Sequence, residues 1–258
     1  MNPFRTHGAI SWSEYLSPDV DRSLTFFRNL VGWSASAMPM EDGPYYVLQI
    51  GNTSAAGVMA CPPGVPPCWC FYVTLHDIRA WLETKRPKVM VPLTETPIGP
   101  FAGITDPQGA YLNVMQYHDT EDSSGLDSVM TAYLHQGHFA WFELQTTDPA
   151  AAAEYYCNLF GWTIDEQPIP SGTYHRIAVD GAAIGGIMAS VAPDVPPHWS
   201  GYVTVEDVDA IQAKAQSLGA TITAPAFEVP EVGRLMHLLD PDGVPLAFAT
   251  WNLPGLGT

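Results

Sequence analysis

Basic residues are scarce in this chain: ten Lys and Arg stand against 27 Asp and Glu in 258 residues, for a net charge of −17. Nucleic acids and anionic membrane surfaces recruit proteins through clustered cations, so both are excluded as expected partners. The acidity needs no partner to explain it, because net charge keeps a protein soluble. Cysteine is sparse too. Cys61, Cys68, Cys70 and Cys157 are too few for a disulfide framework in a chain this long. Cys68-Trp69-Cys70 has no second cysteine pair at zinc-site spacing, so these read as structural thiols. No apolar run reaches the roughly 18 residues of a membrane span. The opening Met1-Asn-Pro-Phe-Arg-Thr-His7 lacks the apolar core of a signal peptide, and the expected location is the cytoplasm. A P-loop, a dinucleotide fingerprint and a nucleophile–His–Asp set are also missing. Gly185-Gly186 falls in a strand-like stretch without the helix that phosphate binding requires.

What the chain does have is a repeat. Gly8-Ala-Ile-Ser-Trp12-Ser-Glu14, Asp19 and Asn29-Leu-Val-Gly32-Trp33 recur as Gly137-His-Phe-Ala-Trp141-Phe-Glu143, Asp148 and Asn158-Leu-Phe-Gly161-Trp162, every position displaced by 129. Chance seldom matches so many distinctive residues at one offset, so the chain is a duplication. Its length suits two domains, each able to bury a core. Within each half, strand-length runs (Ile10 to Leu16, Phe139 to Gln145) lead to helices with Asp19 and Asp148 at the N-cap. Leu24, Phe27 and Val31, and in the second copy Ala153, Tyr156 and Phe160, form the buried helical stripe. Hairpins follow around Gly51-Asn52 and Asp180-Gly181. A second unit in each half runs from Val65-Pro-Pro or Val195-Pro-Pro through helices starting at Asp77 and Asp207. It ends in a strand after Asp106-Pro-Gln-Gly109 or Asp240-Pro-Asp-Gly243. The order is strand, helix, several strands, four times over.

Paired units of this order, with Leu159-Phe-Gly-Trp162 after a helix and Asp240-Pro-Asp-Gly243 before the last strand, resemble the vicinal oxygen chelate superfamily. The group contains glyoxalase I, extradiol dioxygenases, fosfomycin resistance proteins and bleomycin-binding proteins. The likeness spans about residues 8–117 and 137–251. It implies an α+β fold of two tandem domains, each a pair of βαβββ units forming a cupped mixed sheet with helices outside. The expected boundaries are 1–118 and 137–252, with a linker at 119–136 and a tail at 253–258. Metal-using members hold a divalent ion inside each cup, usually on His and Glu. Those positions carry over to Trp12, Cys70 and Asn113 with Ala56-Gly57, and to Trp141, Ser200 and Ala247 with Gly185-Gly186. Neither set is a His/Glu cluster, and indole cannot ligate a metal, so no metal and no other cofactor is expected.

The cups then become apolar pockets with polar tips, the usual form of a small-molecule site. Strand alternation puts Trp12, Glu14 and Leu16 on one face, and Trp141, Glu143 and Gln145 on its counterpart. Glu14 and Glu143 are the candidate general bases, since desolvation by Trp would raise a carboxylate pKa toward the working range. The plainer reading makes each a fold device that accepts backbone hydrogen bonds. His175 and His237 are candidate acid–base partners if they face one cup; His138 is a third, more ordinary strand histidine. Trp12, Tyr46, Tyr72, Asn113, Trp141, Tyr174 and Tyr202 are the candidate substrate-binding set, with Tyr45, Tyr111 and Met115 near them in sequence.

The expected function is metal-independent proton-transfer chemistry (cyclisation, isomerisation or elimination) on a small apolar or aromatic metabolite. The alternatives are a non-catalytic protein that sequesters a toxic compound, and a metal-dependent glyoxalase or dioxygenase. Four units in one chain supply what smaller relatives reach by dimerising, so a monomer is expected, with a dimer as the alternative.

Overall fold

The computed structural model describes residues 2–40, 43–118, 135–190 and 194–252. Most of the expected linker (119–134) and all of the expected tail (253–258) lie outside the described residues. The first half runs β1 (Ile10–Ser17), α1 (Val20–Val31), β2 (Ser34–Met38), β3 (Tyr45–Ile50), β4 (Thr53–Ala60), β5 (Cys68–Thr74), α2 (Ile78–Lys85), β6 (Lys88–Thr94), β7 (Phe101–Thr105) and β8 (Tyr111–Met115). The second repeats it as β9 (Phe139–Thr146), α3 (Pro149–Phe160), β10 (Thr163–Ile169), β11 (Gly172–Val179), β12 (Ala182–Ala189), β13 (His198–Thr204), α4 (Val208–Ser217), β14 (Thr221–Val229), β15 (Gly233–Leu239) and β16 (Pro245–Trp251). Each half supplies one eight-stranded mixed sheet, ordered β2-β3-β4-β1-β5-β8-β7-β6 and β10-β11-β12-β9-β13-β16-β15-β14. The α+β expectation of paired βαβββ units holds. Among the described residues no helix is long and apolar enough to cross a membrane.

Capping explains where the helices start and stop. Asp19, Asp77, Asp148 and Asp207 all have extended backbone and accept a first-turn N–H, from Arg22, Ala80, Ala151 and Ala210 respectively. Gly32 (φ 86°) and Gly161 (φ 75°) adopt the left-handed conformation and donate to the carbonyls of Arg28 and Cys157.

The chain packs as two compact units, each drawing segments from both halves. The first comprises the described residues within Met1–Trp12, Cys70–Met130 and Trp141–Ser200; the second, those within Ser13–Trp69, Thr131–Ala140 and Gly201–Thr258. In the first unit the core is an aromatic cluster: Tyr156 meets Trp199 edge-on at 5.4 Å, and Phe160 stacks on Trp81 at 5.6 Å. Trp162 Nε1 donates to the Gly8 carbonyl at 2.7 Å. In the second unit Tyr15, Phe27, Trp69 and Phe139 form the cluster, with Tyr15–Trp69 at 5.0 Å and Trp69–Phe139 at 4.9 Å. There Trp33 Nε1 donates to the Gly137 carbonyl at 2.8 Å. Truncating a buried Trp typically costs about 3–5 kcal/mol, so these rings are principal holders of each unit.

Each unit also buries the Asp of one Asp-Pro-x-Gly turn. Asp240 accepts the Asp242 and Val244 N–H groups and the Tyr15 hydroxyl at 2.6 Å. Asp106 accepts the Gln108 and Ala110 N–H groups and the Tyr156 hydroxyl at 3.2 Å. The phenol comes from a strand in one unit and from a helix in the other. The repeat positions exchange accordingly: Leu144 stands where the first copy has Tyr15, and Phe27 where the second has Tyr156. A buried carboxylate requires a donor, but not from a fixed position.

Candidate active site

The site in the first unit is built on three neighbouring strands, β9, β12 and β11. Their registers pair Glu143 with Gly186 and Gly186 with Arg176, so the three residues form one row across the sheet. Asp165 on β10 continues the row beside Arg176. Side chains in such a row share a face, as do those two residues along a strand. Trp141 and Tyr174 therefore join Glu143 and Arg176. The opposite face carries Phe142, Leu144, Ile177 and Ile187, none more than 2% exposed, and is closed core.

On the open face a hydrogen-bonded chain forms. Trp141 Nε1 donates to the Tyr174 hydroxyl at 2.8 Å, and that hydroxyl donates to Glu143 Oε2 at 3.3 Å. Gly186 makes this arrangement fit, because any Cβ there would run into the end of the Tyr174 ring. Glu143 is 5% exposed, whereas Trp141 and Tyr174 are half-buried. The carboxylate thus lies beneath two rings that reach solvent. Burial, and then the adjacent Glu143 charge, holds the Tyr174 phenol well above its ordinary pKa, so it stays a proton donor. Ser200 Oγ lies 3.5 Å from the Glu143 carbonyl.

The same device recurs on β5, β8 and β7 of this unit. Tyr72 pairs with Asn113, and Asn113 with Gly103. The Tyr111 ring lies over Gly103, and its hydroxyl donates to Asn113 Oδ1 at 2.6 Å. Trp12 is half-buried on β1.

In the second unit, Glu14 is 8% exposed and pairs with Gly57, which pairs with Val47. Tyr202, Ala247 and His237 form another row across β13, β16 and β15. Tyr202 Oη and His237 Nε2 lie 3.0 Å apart, and burial lowers the pKa of His237. Phe227 meets the imidazole edge-on at 5.9 Å.

Two expected site residues sit on the wrong face. His175 pairs with Ile187 and Glu166, so it shares the core face with Leu144 and points opposite to Tyr174 and Glu143. It is 5% exposed, and its Nδ1 lies 3.5 Å from Glu166 Oε1. The acid–base histidine pair drawn from sequence is therefore not assembled at Glu143. Tyr46 pairs with Val58, which pairs with Tyr15, placing Tyr46 on the helix-facing side, opposite Glu14. Tyr45 is the true counterpart of Tyr174. Arg176, two residues from Tyr174 and in register with Gly186, lies on the Glu143 face although the sequence did not single it out.

The positions equivalent to the family's metal ligands do not fit a divalent ion. They offer indole, thiol, amide and hydroxyl groups or no donor at all. At Gly186 the Tyr174 ring covers the place where a ligand side chain would project. Among the described residues no group of three or more His, Cys, Asp and Glu could hold a metal ion.

Two eight-stranded sheets of paired βαβββ units define the class, and sequence comparison agrees. The chain belongs to the vicinal oxygen chelate superfamily: residues 136–248 match the Glyoxalase/Bleomycin resistance protein/Dioxygenase superfamily. Over 247 residues it is 30% identical to the Mycobacterium tuberculosis protein named "Putative glyoxylase CFP32", covering 92% of both chains. Over 273 residues it is 28% identical to the anthracycline biosynthesis protein DnrV of Streptomyces peucetius, covering 92% of this chain and 90% of that one. The Mn(II)-bound glyoxalase from Novosphingobium aromaticivorans shares the fold at TM-score 0.64 and 12% identity, over 95% of this chain and 82% of that one.

Proposed function

We propose that the chain is an enzyme that moves a proton on a small, apolar, aromatic metabolite without a bound metal. Its reaction is a cyclisation, isomerisation or elimination. One observation carries this reading: a buried carboxylate, Glu143, lies beneath Trp141 and Tyr174 and is joined to them by a hydrogen-bonded chain. The aromatic rings bind a flat apolar body, and a positioned carboxylate is a general base. Tyr174 supports the base by donating to it, and can return a proton to the product. The relative named for anthracycline biosynthesis points the same way, toward secondary metabolism.

The test is a mass-spectrometric screen of enolisable aryl ketones incubated with the protein in D₂O. Label should enter at the acidic carbon, persist after EDTA treatment, and enter far more slowly in Glu143→Gln. Tight binding with every compound recovered unlabelled would identify a sequestering protein instead. Loss of exchange on chelation would identify a metal enzyme.

A further inference from the structure

We infer that Arg176 is a substrate-recognition residue, and that the substrate presents an oxyanion (a carboxylate, or a ketone oxygen that becomes an enolate) beside its acidic C–H. The inference deepens the proton-transfer reading and rests on it for the chemistry, but not for the binding.

The row across β11, β12 and β9 sets a cation and a carboxylate on either side of a glycine. Neighbouring strands are about 4.8 Å apart, so the Arg176 and Glu143 backbones are roughly 10 Å apart. Between them lies the Tyr174 phenol, over Gly186. A flat substrate resting on this floor would meet a guanidinium at one end and a base at the other. The base takes the proton, the C–H electron pair moves into the carbonyl, and negative charge collects on the oxygen. Arg176 is suited to that oxygen: a guanidinium fork grips a carboxylate with two N–H groups and can donate one to an enolate oxygen. The reaction balances without any further reactant, since the proton on Glu143 is returned to another atom of the product.

Arg176 is also available. Its Nη2 contacts Asp165 Oδ2 at 2.7 Å, with the two side chains 43% and 58% exposed. An ion pair so open to water contributes little, so a substrate oxyanion can replace Asp165 at small cost. A local cation is needed as well, because a chain of net charge −17 repels anions. The first-half copy of the row lacks this cation. There Ser36, Val47, Gly57 and Glu14 stand in register where the second half has Asp165, Arg176, Gly186 and Glu143. The inference therefore assigns oxyanion recognition to the second-half copy alone.

The probes are 1-hydroxy-2-naphthoate and its neutral methyl ester, with binding measured by calorimetry on the full chain. The acid should bind more tightly than the ester. Arg176→Gln should weaken the acid about tenfold or more while leaving the ester nearly unchanged. Arg176→Lys should restore part of the loss, and Asp165→Asn should tighten the acid. Glu143→Gln should keep the charge preference while slowing deuterium exchange. A wild-type protein indifferent to charge, or an Arg176→Gln loss equal for both probes, overturns the inference whatever the exchange screen shows. A charge preference lost in Arg176→Gln, with no exchange on any ketone, upholds Arg176 and sinks the proton-transfer reading.

Discussion

Two rows descend from one ancestor: Asp165–Arg176–Gly186–Glu143 in the first compact unit and Ser36–Val47–Gly57–Glu14 in the second. The glycine and the glutamate are common to both, while the two outer positions are a charged pair in one and a polar and an apolar residue in the other. The core faces behave differently. There the buried aspartate of each Asp-Pro-x-Gly turn has a phenol donor, from a strand in one unit and a helix in the other. Packing and buried hydrogen bonds constrain the hidden face equally in both copies. The open face is free to specialise, and a duplicated fold need not carry duplicated activity.

The comparison breaks most visibly at the glutamates. Glu143→Gln should lower the exchange rate by about 10²–10³-fold, in the range of a lost general base, whereas Glu14→Gln should lower it by less than about threefold. Equal losses would mean that both copies work. Next in size come the turn aspartates. Asp240→Ala and Asp106→Ala each strand two backbone N–H groups and a phenol, and each should cost about 3 kcal/mol in denaturant unfolding. A large cost at one and none at the other would break the claimed equivalence of the hidden faces. Gly186→Ala should push Tyr174 off the row, cost about 1–3 kcal/mol and reduce exchange. The smallest effect concerns His237. Its folded pKa lies below its ordinary value, so its contribution to stability is present above about pH 6.5 and lost as pH falls through the folded value. His237→Gln should therefore lose less stability than the wild type on acidification in a thermal-melt series.

The duplication, helix caps and paired turns were legible in sequence because each rests on local chemistry or on repetition. Asp19, Asp77, Asp148 and Asp207 could be read as caps without knowing what they pack against. The faces of the middle strands could not. Assigning Tyr46 and His175 to the Glu side required the register of β3 and β11 against their neighbours. That register is interrupted by irregularities at Leu48/Gln49 and Ile177/Ala178. A one-residue slip reverses every side chain, so residues from both faces, Tyr174 and its neighbour His175 among them, entered one candidate set. Arg176 escaped because one arginine in a strand carries no pattern until the glutamate beyond Gly186 is known to lie in line with it.

The indole hydrogen bonds to Gly8 and Gly137 have a consequence for anyone who would divide the gene. Cleaving the chain between its repeats leaves each fragment with a tryptophan whose carbonyl acceptor has gone to the other. Each piece alone should therefore be less stable, and mixing the two should restore both bonds. Carrying both repeats on one chain holds at high local concentration two complementary parts that would otherwise have to find each other by diffusion.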